Sequence, residues 1–559
     1  MLESRCPPCD VERVDYAIKP KAGFLSLAQE LRFYVLSFLP CRDILRCTSV
    51  CKALRQTYMS SSELQYIVEL SGQRLLPVPN TNNHIPISNR LQTLKNRAHA
   101  WFKFDMHSFK TITLQENLYT KILTKQLVTN GHLYSWDDYN DVAAIIPILP
   151  KPSQQTIEHY WSPGTLCPVP HSITLDVLMD PAQNLIAVAY YVTHENDFES
   201  YEAVYVDLRT LDSDGIHPQA AGRTLLLSES SVYEDATVET TRAKLKCYGK
   251  HIALQRSLVI TPDDRRNHYT QRTEWQIWDW QNSAISRSVL NGDIVPYPSE
   301  NQVDFCFLGN DRLLVVASDL EVYSIADMSQ TPQLLACFRL PLRLWRIQCL
   351  LPIDDIERMQ VQAQPQTVRY TSDPTHQLLC LTASYNTATL IFIISTRIFF
   401  DLDGVVATVP KPWECWGPSN TRIFRHPYST QVHVSGSRVL QVFALGTPGT
   451  RPMEYEVHLM DFSPTAAKNR RGLGRVVREP SAIEISSFME SATEEENLEI
   501  TTSLPYVEVV SDRKLGALEL QGIWLDKNRI YLLNASWDVS TGFISYFAWQ
   551  SSRLEVMEV

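Results

Sequence analysis

The first strong hydrophobic pattern in the chain has a helical period and lies between residues 27 and 39. Tyr34 fills one position of this pattern, and the other apolar residues recur mostly at spacings of three and four, at Leu27, Leu31, Val35, Phe38 and Leu39. Glu30 and Arg32 lie on other sides of the helical wheel. This spacing predicts an amphipathic helix with one broad apolar face.

A second helical segment comes directly after the first. Pro40 cannot continue the first helix, and Asp43 is placed to cap a second helix that begins near Ile44. The segment ends near Tyr58, and its apolar residues are Ile44, Leu45, Cys47, Val50, Cys51 and Leu54. We therefore expect two or three short helices. A unit of roughly forty residues is near the lower limit for burying its own core, so its apolar surface needs a neighbour.

Residues 77–89 are rich in Pro and Asn and are predicted to form a connector. The next segment has apolar residues at spacings of three and four, at Leu91, Leu94, Ala98, Trp101 and Phe102. This pattern predicts one further amphipathic helix, which braces the helical unit against the rest of the chain.

Beyond this helix the pattern changes to short apolar runs beside turn residues. Seven such turns contain Gly, Asn, Asp or Pro and lie near residues 131, 182, 249, 310, 375, 436 and 527. Small repeated sheets of this kind are typical of a β-propeller. We expect a divergent propeller of about seven blades. Six or eight blades, or an irregular pair of β-sandwiches, are the alternatives.

The turns are farther apart than the roughly 40 to 45 residues of a WD-type blade, so long inserted loops are expected. Trp278-Asp279 occupies the place of a WD dipeptide, but no Gly-His signature accompanies it. The longest interruption, residues 463–500, holds the acidic run Glu494 to Glu496 and a basic stretch of Lys468, Arg470, Arg471, Arg475 and Arg478. We expect a solvated charged loop there, with an acidic-partner contact or a nuclear address as alternatives.

Composition limits the function classes. The chain has 559 residues, 44% of them hydrophobic, and a formal net charge of −11. The acidic excess lies beyond residue 60, which argues against nucleic-acid binding by the large domain. The longest apolar run, residues 390–400, is interrupted and too short to span a membrane, and the first ten residues lack a secretion pattern. We expect an intracellular protein, cytoplasmic, nuclear or both, without nucleic-acid or membrane partners.

No residue pattern points to catalysis or to a cofactor. The sequence lacks a GxSxG elbow, a phosphate-binding loop and an HExxH motif. Gly472 and Gly474 lack the third glycine of a dinucleotide site. Cys6 and Cys9 have CxxC spacing but no second pair is present downstream. We expect no metal, no cofactor and no catalytic residue, and we expect structural roles for the dispersed histidines, such as His132, His251 and His426.

The N-terminal helices resemble the F-box. Its Leu-Pro, Glu-Leu, Ile-Leu, Leu-Pro, Asp-Leu-Leu and Val-Cys-Lys/Arg-x-Trp-Arg pattern is matched here by Leu27-Ala28, Glu30-Leu31, Val35-Leu36, Leu39-Pro40, Asp43-Ile44-Leu45, Val50-Cys51-Lys52 and Leu54-Arg55. Ala28 stands in place of the usual proline, and Leu54 in place of the usual tryptophan. The resemblance implies an adaptor-binding set made of Leu27, Leu31, Val35, Leu36, Leu39, Pro40, Ile44, Leu45, Val50, Cys51 and Leu54.

F-box proteins dock on the Skp-type adaptor of a cullin-RING ubiquitin ligase, while the rest of the chain holds a substrate. The resemblance therefore implies a non-catalytic substrate receptor with an unidentified protein substrate. A scaffold or assembly factor that binds the adaptor without cullin is the alternative. A second alternative is a small helical hairpin with a purely structural role, which packs on the domain that follows it in the chain. The whole chain resembles F-box proteins of mushroom-forming fungi, in which a long all-β region lies after the F-box.

These observations predict an α+β multidomain chain. We expect a flexible tail at residues 1–24, an F-box-like helical unit at 25–60, and a linker with an amphipathic helix at 61–104. A large all-β domain, the propeller-like substrate-binding part, is expected at residues 105–559.

Overall fold

The computed structural model describes most of the chain, namely residues 23–77, 85–103, 109–114, 125–129, 131–149, 156–195, 200–227, 236–260, 269–296, 303–351, 370–385, 388–426, 431–445, 454–468, 474–486, 497–516, 520–526, 528–537 and 549–558. Nearly all of the predicted tail, with Cys6 and Cys9, lies outside the described residues. The same holds for Arg470, Arg471 and the acidic run that begins at Glu494.

The chain divides into two compact units. The described part of the first comprises residues 23–71 and 85–94, and the second begins with residues 72–77 and continues from residue 95. No helix within the described ranges is both long and apolar enough to cross a membrane.

The first unit is helical. A 3₁₀ turn at Phe24–Ser26 precedes helices α1 (Gln29–Ser37), α2 (Cys41–Val50), α3 (Lys52–Ser60), α4 (Ser62–Gly72) and the first half of α5 (Ile87–Phe102). One buried side chain from each of the first four helices forms the centre of its core, at Leu36, Ile44, Leu54 and Leu64. The stretch up to Tyr58 contains the expected three short helices, and α4, which begins after it, contributes the fourth side chain of this core.

Proline and an extended residue separate the helices. Pro40 lies at the N-cap of α2, and its carbonyl accepts from the amides of Asp43 and Ile44. The predicted capping role of Asp43 is therefore wrong. Because the proline already precedes the helix, α2 starts at Cys41, and Asp43 lies in its first turn and pairs with Arg46 at 2.9 Å. Cys51 is extended and ends α2 before α3 begins.

The second unit is a ring of small antiparallel sheets. Blade 1 contains β3 (Lys125–Thr129), β4 (His132–Asp137), β5 (Val142–Pro147) and β6 (His159–Trp161). Blade 2 contains β7 (Ser172–Asp180), β8 (Leu185–Glu195), β9 (Ser200–Thr210) and β10 (Thr224–Leu226). Blade 3 contains β11 (Ala236–Tyr248), β12 (His251–Ile260), β13 (Thr270–Asp279) and β14 (Ser288–Pro296). Blade 4 contains β15 (Asp304–Phe307), β16 (Arg312–Val316), β17 (Asp319–Ser324) and β18 (Gln333–Arg339).

Three further blades complete the ring. Blade 5 contains β19 (Trp345–Leu350), β21 (Leu378–Tyr385), β22 (Ala388–Ser395) and β23 (Thr421–His426), with helix α6 (Trp413–Asn420) before its last strand. Blade 6 contains β24 (Val432–Ser435), β25 (Arg438–Leu445), β26 (Glu454–Asp461), β30 (Tyr506–Gly516) and β27 (Arg475–Val477). Blade 7 contains β31 (Leu520–Leu525), β32 (Arg529–Trp537), β33 (Trp549–Glu558) and β2 (Lys110–Thr113).

The last blade closes the ring with a strand from the start of the unit. Strand β2 pairs antiparallel with β33, with Lys110 opposite Val556 and Thr113 opposite Arg553. A buried cluster then joins blade 7 to blade 1 through residues that include Leu133 and Tyr531. The first and last parts of the propeller sequence are therefore held together by backbone hydrogen bonds and by packing.

Both faces of each blade are buried, which explains the continuous apolar runs in the sequence. In β8, Ile186 and Val188 pack with blade 1, whereas Ala187 and Ala189 pack with blade 3. Across the described residues, buried clusters of this kind lie between all seven neighbouring pairs of blades. This arrangement confirms the predicted propeller of seven blades and excludes the sandwich pair.

The predicted turns fall at one position of the repeat. Six of them connect the first and second strands of a blade, and the turn near residue 375 immediately precedes the second strand of blade 5. Gly249 and Gly436 have φ of 56° and 58° at such turns, a conformation that glycine adopts without steric cost. At five of the seven junctions the first strands of neighbouring blades contact one another, namely β7 with β11, β11 with β15, β15 with β19, β24 with β31 and β31 with β3, which places them around the central axis.

Buried ion pairs link these inner strands. Asp304 of blade 4 accepts from Lys246 of blade 3 at 2.9 Å and from the backbone amide of Cys349 of blade 5 at 2.7 Å. Burial opposes ionisation of Asp304, but Lys246, Lys244 and the Cys349 amide outweigh it and lower the pKa of the carboxyl. One aspartate thus holds three blades together.

The same arrangement recurs two blades earlier. Asp176 of blade 2 pairs with Lys125 of blade 1 at 2.9 Å and accepts from the Leu245 amide of blade 3 at 2.6 Å. These contacts fix the inner strands relative to one another.

The described part of residues 463–500 differs from the predicted charged loop. It contains helix α7 (Pro464–Lys468), strand β27 and a hairpin of β28 (Ser481–Ser486) and β29 (Asn497–Thr502). Ile485 and Ile500 of the hairpin pack into the cluster between blades 4 and 5. The apolar positions are few and lie among charged residues, so the strands give a weak pattern. Arg475 also pairs with Glu508 rather than facing only solvent.

A short strand precedes the propeller. Strand β1 (Leu75–Pro77) pairs with β20 (Tyr370–Ser372) in a separate two-stranded sheet. The two other 3₁₀ helices of the described residues, Pro374–His376 and Thr396–Phe399, flank β21 and β22.

Candidate functional site

An apolar stripe lies exposed along α1. It consists of Leu31, Tyr34, Val35 and Phe38, which are 53, 60, 43 and 71% exposed. These residues are three or four positions apart and therefore lie on one side of the helix. The Tyr34 and Phe38 rings contact edge to face at 4.9 Å between centroids. We call these four residues the α1 stripe.

Helix α1 has a second apolar side that faces inward. Leu36 is 1% exposed, and Phe33 and Leu39 pack partly buried against the same core. The apolar pattern is therefore wider than one buried face requires. One apolar side packs into the core of the helical unit, and the other side, the α1 stripe, stays exposed.

Further exposed apolar residues lie on neighbouring segments. Leu45 of α2 is exposed, and Val50 at the end of α2 is 75% exposed. Leu27 is exposed just before α1, as are Phe24 and Leu25. Large exposed apolar side chains concentrated in one small unit are typical of an interaction surface.

The structure divides the predicted adaptor-binding residues into two groups. Those on the surface are Leu27, Leu31, Val35, Pro40, Leu45 and Val50. Leu36, Ile44 and Leu54 are buried in the core, which corrects their assignment to the binding surface. Leu39 and Cys51 are half-buried and pack on that core. A sequence motif marks both groups equally, because a small helical domain needs fixed residues for folding as well as for binding.

Tyr34 and Phe38 are absent from the predicted binding set, although both are prominently exposed. The signal that reveals them is the helical spacing itself, since both belong to the apolar pattern of residues 27–39. The motif comparison omits them because it uses other positions of the helix.

The site contains no reactive constellation within the described residues. No group of three or more His, Cys, Asp or Glu side chains is arranged to hold a metal there. Charged residues such as Arg42, Lys52 and Arg55 are exposed on the same helices. The arrangement is suited to binding a protein through apolar contacts with a polar rim.

The three histidines singled out in the sequence lie buried in the propeller. His132 accepts from the Ile157 amide at 3.2 Å. Burial, assisted by Lys250, lowers the pKa of His251 to about 4. Burial and the neighbouring His458 lower the pKa of His426 to about 4 as well. His251 and His426 are therefore neutral near pH 7, and all three histidines are part of the blade packing.

Trp278 and Asp279 lie at the end of the third strand of blade 3. Asp279 pairs with Lys250 at 2.6 Å, and the Trp278 indole donates to the Leu226 carbonyl at 3.2 Å. Asp279 therefore fixes the turn between β11 and β12, and Trp278 links blade 3 to β10 of blade 2.

The F-box domain family model matches residues 24–57. No curated protein matches the chain. Solved structures similar to it include the WD40 domain of SCAP from fission yeast, with 8% identity, 81% of this chain and 95% of that chain covered, and a TM-score of 0.32. Uncharacterized protein lmo1340 from Listeria monocytogenes EGD-e is 9% identical, with 77% and 90% covered and a TM-score of 0.26.

Prolyl oligopeptidase B from Galerina marginata is 9% identical, with 73% of this chain and 58% of that chain covered and a TM-score of 0.23. Scores of this size support no argument, so the propeller assignment rests on the sheet order and on the packing between blades. The matched residues 24–57 coincide with the helices that carry the α1 stripe. The protein therefore carries an N-terminal F-box domain followed by a long all-β region that forms a seven-bladed β-propeller.

Proposed function

We propose that this protein is the substrate receptor of a Skp–cullin–F-box type ubiquitin ligase. In this proposal the F-box docks on a Skp-type adaptor through the α1 stripe and the exposed Leu27, Leu45 and Val50. The propeller-like part, residues 105–559, holds a protein substrate in the cytoplasm, the nucleus or both. The observation that carries the proposal is the exposure of the α1 stripe within a matched F-box.

The size of the surface is consistent with a multi-residue interface. Full burial of one large apolar side chain is worth about 1.5 to 3 kcal/mol, so burying the exposed fractions of the α1 stripe yields about 5 kcal/mol. Association itself costs at least about 4 kcal/mol. The stripe alone gives little net affinity, which is why the proposal includes Leu27, Leu45 and Val50.

The propeller serves as a rigid binding platform in this proposal, not as a catalyst. Buried clusters and the Asp176 and Asp304 ion pairs fix the blades, whereas loops between strands are free to vary in sequence. Titratable groups such as Asp304 and His433 are engaged in contacts between blades. A rigid disc with variable loops is suited to recognising another protein.

A direct test uses two pairs of exposed residues. Leu31→Asp with Val35→Asp places charge on the α1 stripe, and Val406→Asp with Val409→Asp is the matched control on exposed propeller residues. Each variant of the full chain is mixed with a purified Skp-type adaptor. We expect the stripe variant to lose adaptor binding and the control to retain it. Undiminished binding by the folded stripe variant would refute the docking assignment.

The scaffold alternative shares the same docking helices. Adding cullin to the purified complex of this protein and the adaptor distinguishes the scaffold from the ligase receptor. Recruitment of cullin together with the adaptor supports the receptor, whereas a stable complex with the adaptor that excludes cullin supports the scaffold.

A further inference from the structure

The first strand of blade 5 is more exposed than its counterparts in the other blades. Trp345, Arg346 and Gln348 of β19 are exposed, and Arg343 is exposed just before the strand. Trp345 is 39% exposed although it is a large aromatic residue. Among the residues that the structure describes, no other first strand has more than one exposed side chain. This strand therefore presents side chains that the packing of the blades does not use.

A β-bulge lies at the start of β19. Trp345 pairs with Ser384 and Gln348 pairs with Thr382, so two residues of β19 lie opposite one residue of β21. Arg346, one of these two residues, has a φ of 50°. This left-handed conformation is unfavourable for a residue with a side chain such as that of arginine. Strained backbone of this kind is frequent at binding sites, where the surrounding structure holds it in place.

Two buried side chains hold the bulge in place. Leu344 is 4% exposed and Ile347 is 2% exposed, and both pack into the cluster between blades 4 and 5. Trp345 and Arg346 lie between these two anchors and remain exposed. The backbone that carries them is therefore fixed before any ligand binds, which reduces the entropy that binding must overcome.

The exposed polar groups have no internal role within the described part of the chain. Arg343, Arg346 and Gln348 form no side-chain hydrogen bond or ion pair there. The carboxylate of the neighbouring first strand, Asp304, is already paired with Lys246 at 2.9 Å. The two guanidinium groups are therefore available to carboxylates of another molecule.

The exposed end of β19 lies on the opposite face of the ring from the segments that lead into the propeller. The Asp373 amide donates to the Arg74 carbonyl at 2.9 Å, beside the turn that precedes the second strand of blade 5. Trp101 of α5 stacks on Arg438, beside the corresponding turn of blade 6. Because β19 runs towards the face that carries these turns, Trp345 at its start lies on the other face. A ligand at Trp345 therefore does not compete with residues 72–77 or with α5.

We propose that Arg343, Trp345 and Arg346 form a docking site for an acidic segment of the protein substrate. Carboxylates of the segment pair with the two guanidinium groups, whose planar donor geometry suits them, and an apolar side chain packs on the Trp345 ring. Tryptophan and arginine are also enriched among the residues that contribute most to protein–protein binding. This inference rests on the proposed function, because it names the chemistry that the substrate receptor recognises.

The test uses random peptides of about twelve residues, displayed on phage and selected on the immobilised full chain. The selected peptides are then synthesised with a fluorescent label and titrated by anisotropy. We expect them to be enriched in Asp and Glu relative to the unselected library. We also expect Trp345→Ala and Arg346→Gln each to bind them about tenfold or more weakly than the parent does.

Two exposed residues on other blades provide matched controls. Arg287→Gln removes an exposed arginine of blade 3, and Tyr160→Ala removes an aromatic residue of blade 1 that is 49% exposed. We expect both variants to bind the selected peptides as the parent does. A selection without acidic enrichment overturns the proposal, and so does equal binding by the parent and either Trp345→Ala or Arg346→Gln.

Arg346→Gly separates a binding role from a folding role. Glycine adopts a φ near 50° without steric cost, so we expect the urea midpoint not to fall, while peptide binding weakens as it does in Arg346→Gln. A lower midpoint would show that the Arg346 side chain supports the fold and would overturn its assignment to the docking site.

Adaptor binding is measured on the same proteins. We expect Trp345→Ala to retain the adaptor and Leu31→Asp with Val35→Asp to retain the peptides, because the two sites lie in different units. Failure of the parent chain to bind the adaptor refutes the proposed function alone. Failure to select acidic peptides by a chain that binds the adaptor refutes the docking site alone.

Discussion

Leu36 of α1 and Phe38, the C-cap residue of this helix, allow a sharp test of which side of the helix is core and which is surface. Leu36 is fully buried, whereas Phe38, two positions later, is mostly exposed. Leu36→Ala and Phe38→Ala both shorten an apolar side chain at the C-terminal end of α1. We expect Leu36→Ala to have the larger effect on folding and Phe38→Ala to have the larger direct effect on binding.

The magnitudes depend on burial. Leu36→Ala leaves a cavity among Ile44, Leu54 and Leu64, and such changes cost about 2 to 5 kcal/mol. That is a large fraction of the stability of a small helical unit, for which about 5 kcal/mol is typical. Phe38→Ala removes a side chain that is 71% exposed and costs about 1 to 2 kcal/mol, the sum of its small buried part and its contact with Tyr34.

For adaptor binding, the larger direct loss of affinity is expected in Phe38→Ala. If the adaptor covers the exposed part of Phe38, its loss costs about 1 to 2 kcal/mol of binding free energy, or roughly five- to thirtyfold in Kd. Leu36→Ala weakens binding only by lowering the population of the folded unit.

Hydrogen exchange of the full chain separates the two effects. We expect Leu36→Ala to accelerate amide exchange throughout α1 to α4 much more than Phe38→Ala does. Adaptor titration then reports the direct loss in Phe38→Ala. Faster exchange in Phe38→Ala together with unchanged exchange in Leu36→Ala would show that the inward and outward sides of α1 are assigned the wrong way round.

Three further predictions concern the propeller. Asp304→Asn leaves the buried Lys246 beside an uncharged group, so we expect the free energy of unfolding to fall by about 3 kcal/mol. Urea unfolding measures this loss, and an unchanged urea midpoint would contradict the role of Asp304 in linking the blades. Burial lowers the pKa of His433 to about 4, and its Nδ1 accepts from the Leu525 amide of blade 7. Because the unfolded chain takes up this proton near pH 6.5, stability is unaffected above that pH and falls as pH drops towards 4. We expect a shallower fall in His433→Gln, measured by urea unfolding at several pH values, and an identical pH profile would refute this cause. Deleting residues 110–113 exposes the edge of β33, so we expect loss of the monomer by light scattering, and a stable monomer would show that β2 is dispensable.

The propeller was predictable from sequence because its turns recur at one place in each blade and its strands are apolar on both faces. The same reasoning overlooked the β28–β29 hairpin, whose few apolar residues, Ile485 and Ile500, lie among charges. Their partners in blades 4 and 5 are distant in sequence, so only the tertiary fold shows why they are buried.

The candidate docking site was predictable in location but not in detail. The F-box motif places the site on α1 to α3, yet it includes the core residues Leu36, Ile44 and Leu54 as well as surface residues. Helical spacing alone cannot tell which of two apolar sides faces inward, because that depends on where α4 packs. Leu64 of α4 lies beyond the motif and completes the core.

Strand β2 is synthesised long before its partner β33, which lies at the opposite end of the propeller sequence. During translation the helical unit leaves the ribosome early, whereas the ring stays open until the final strand emerges. The nascent chain therefore carries an unpaired strand and uncovered blade faces for most of its synthesis, a state prone to aggregation. A message truncated before the codons for residues 549–558 yields a product that has its F-box helices but cannot complete its disc.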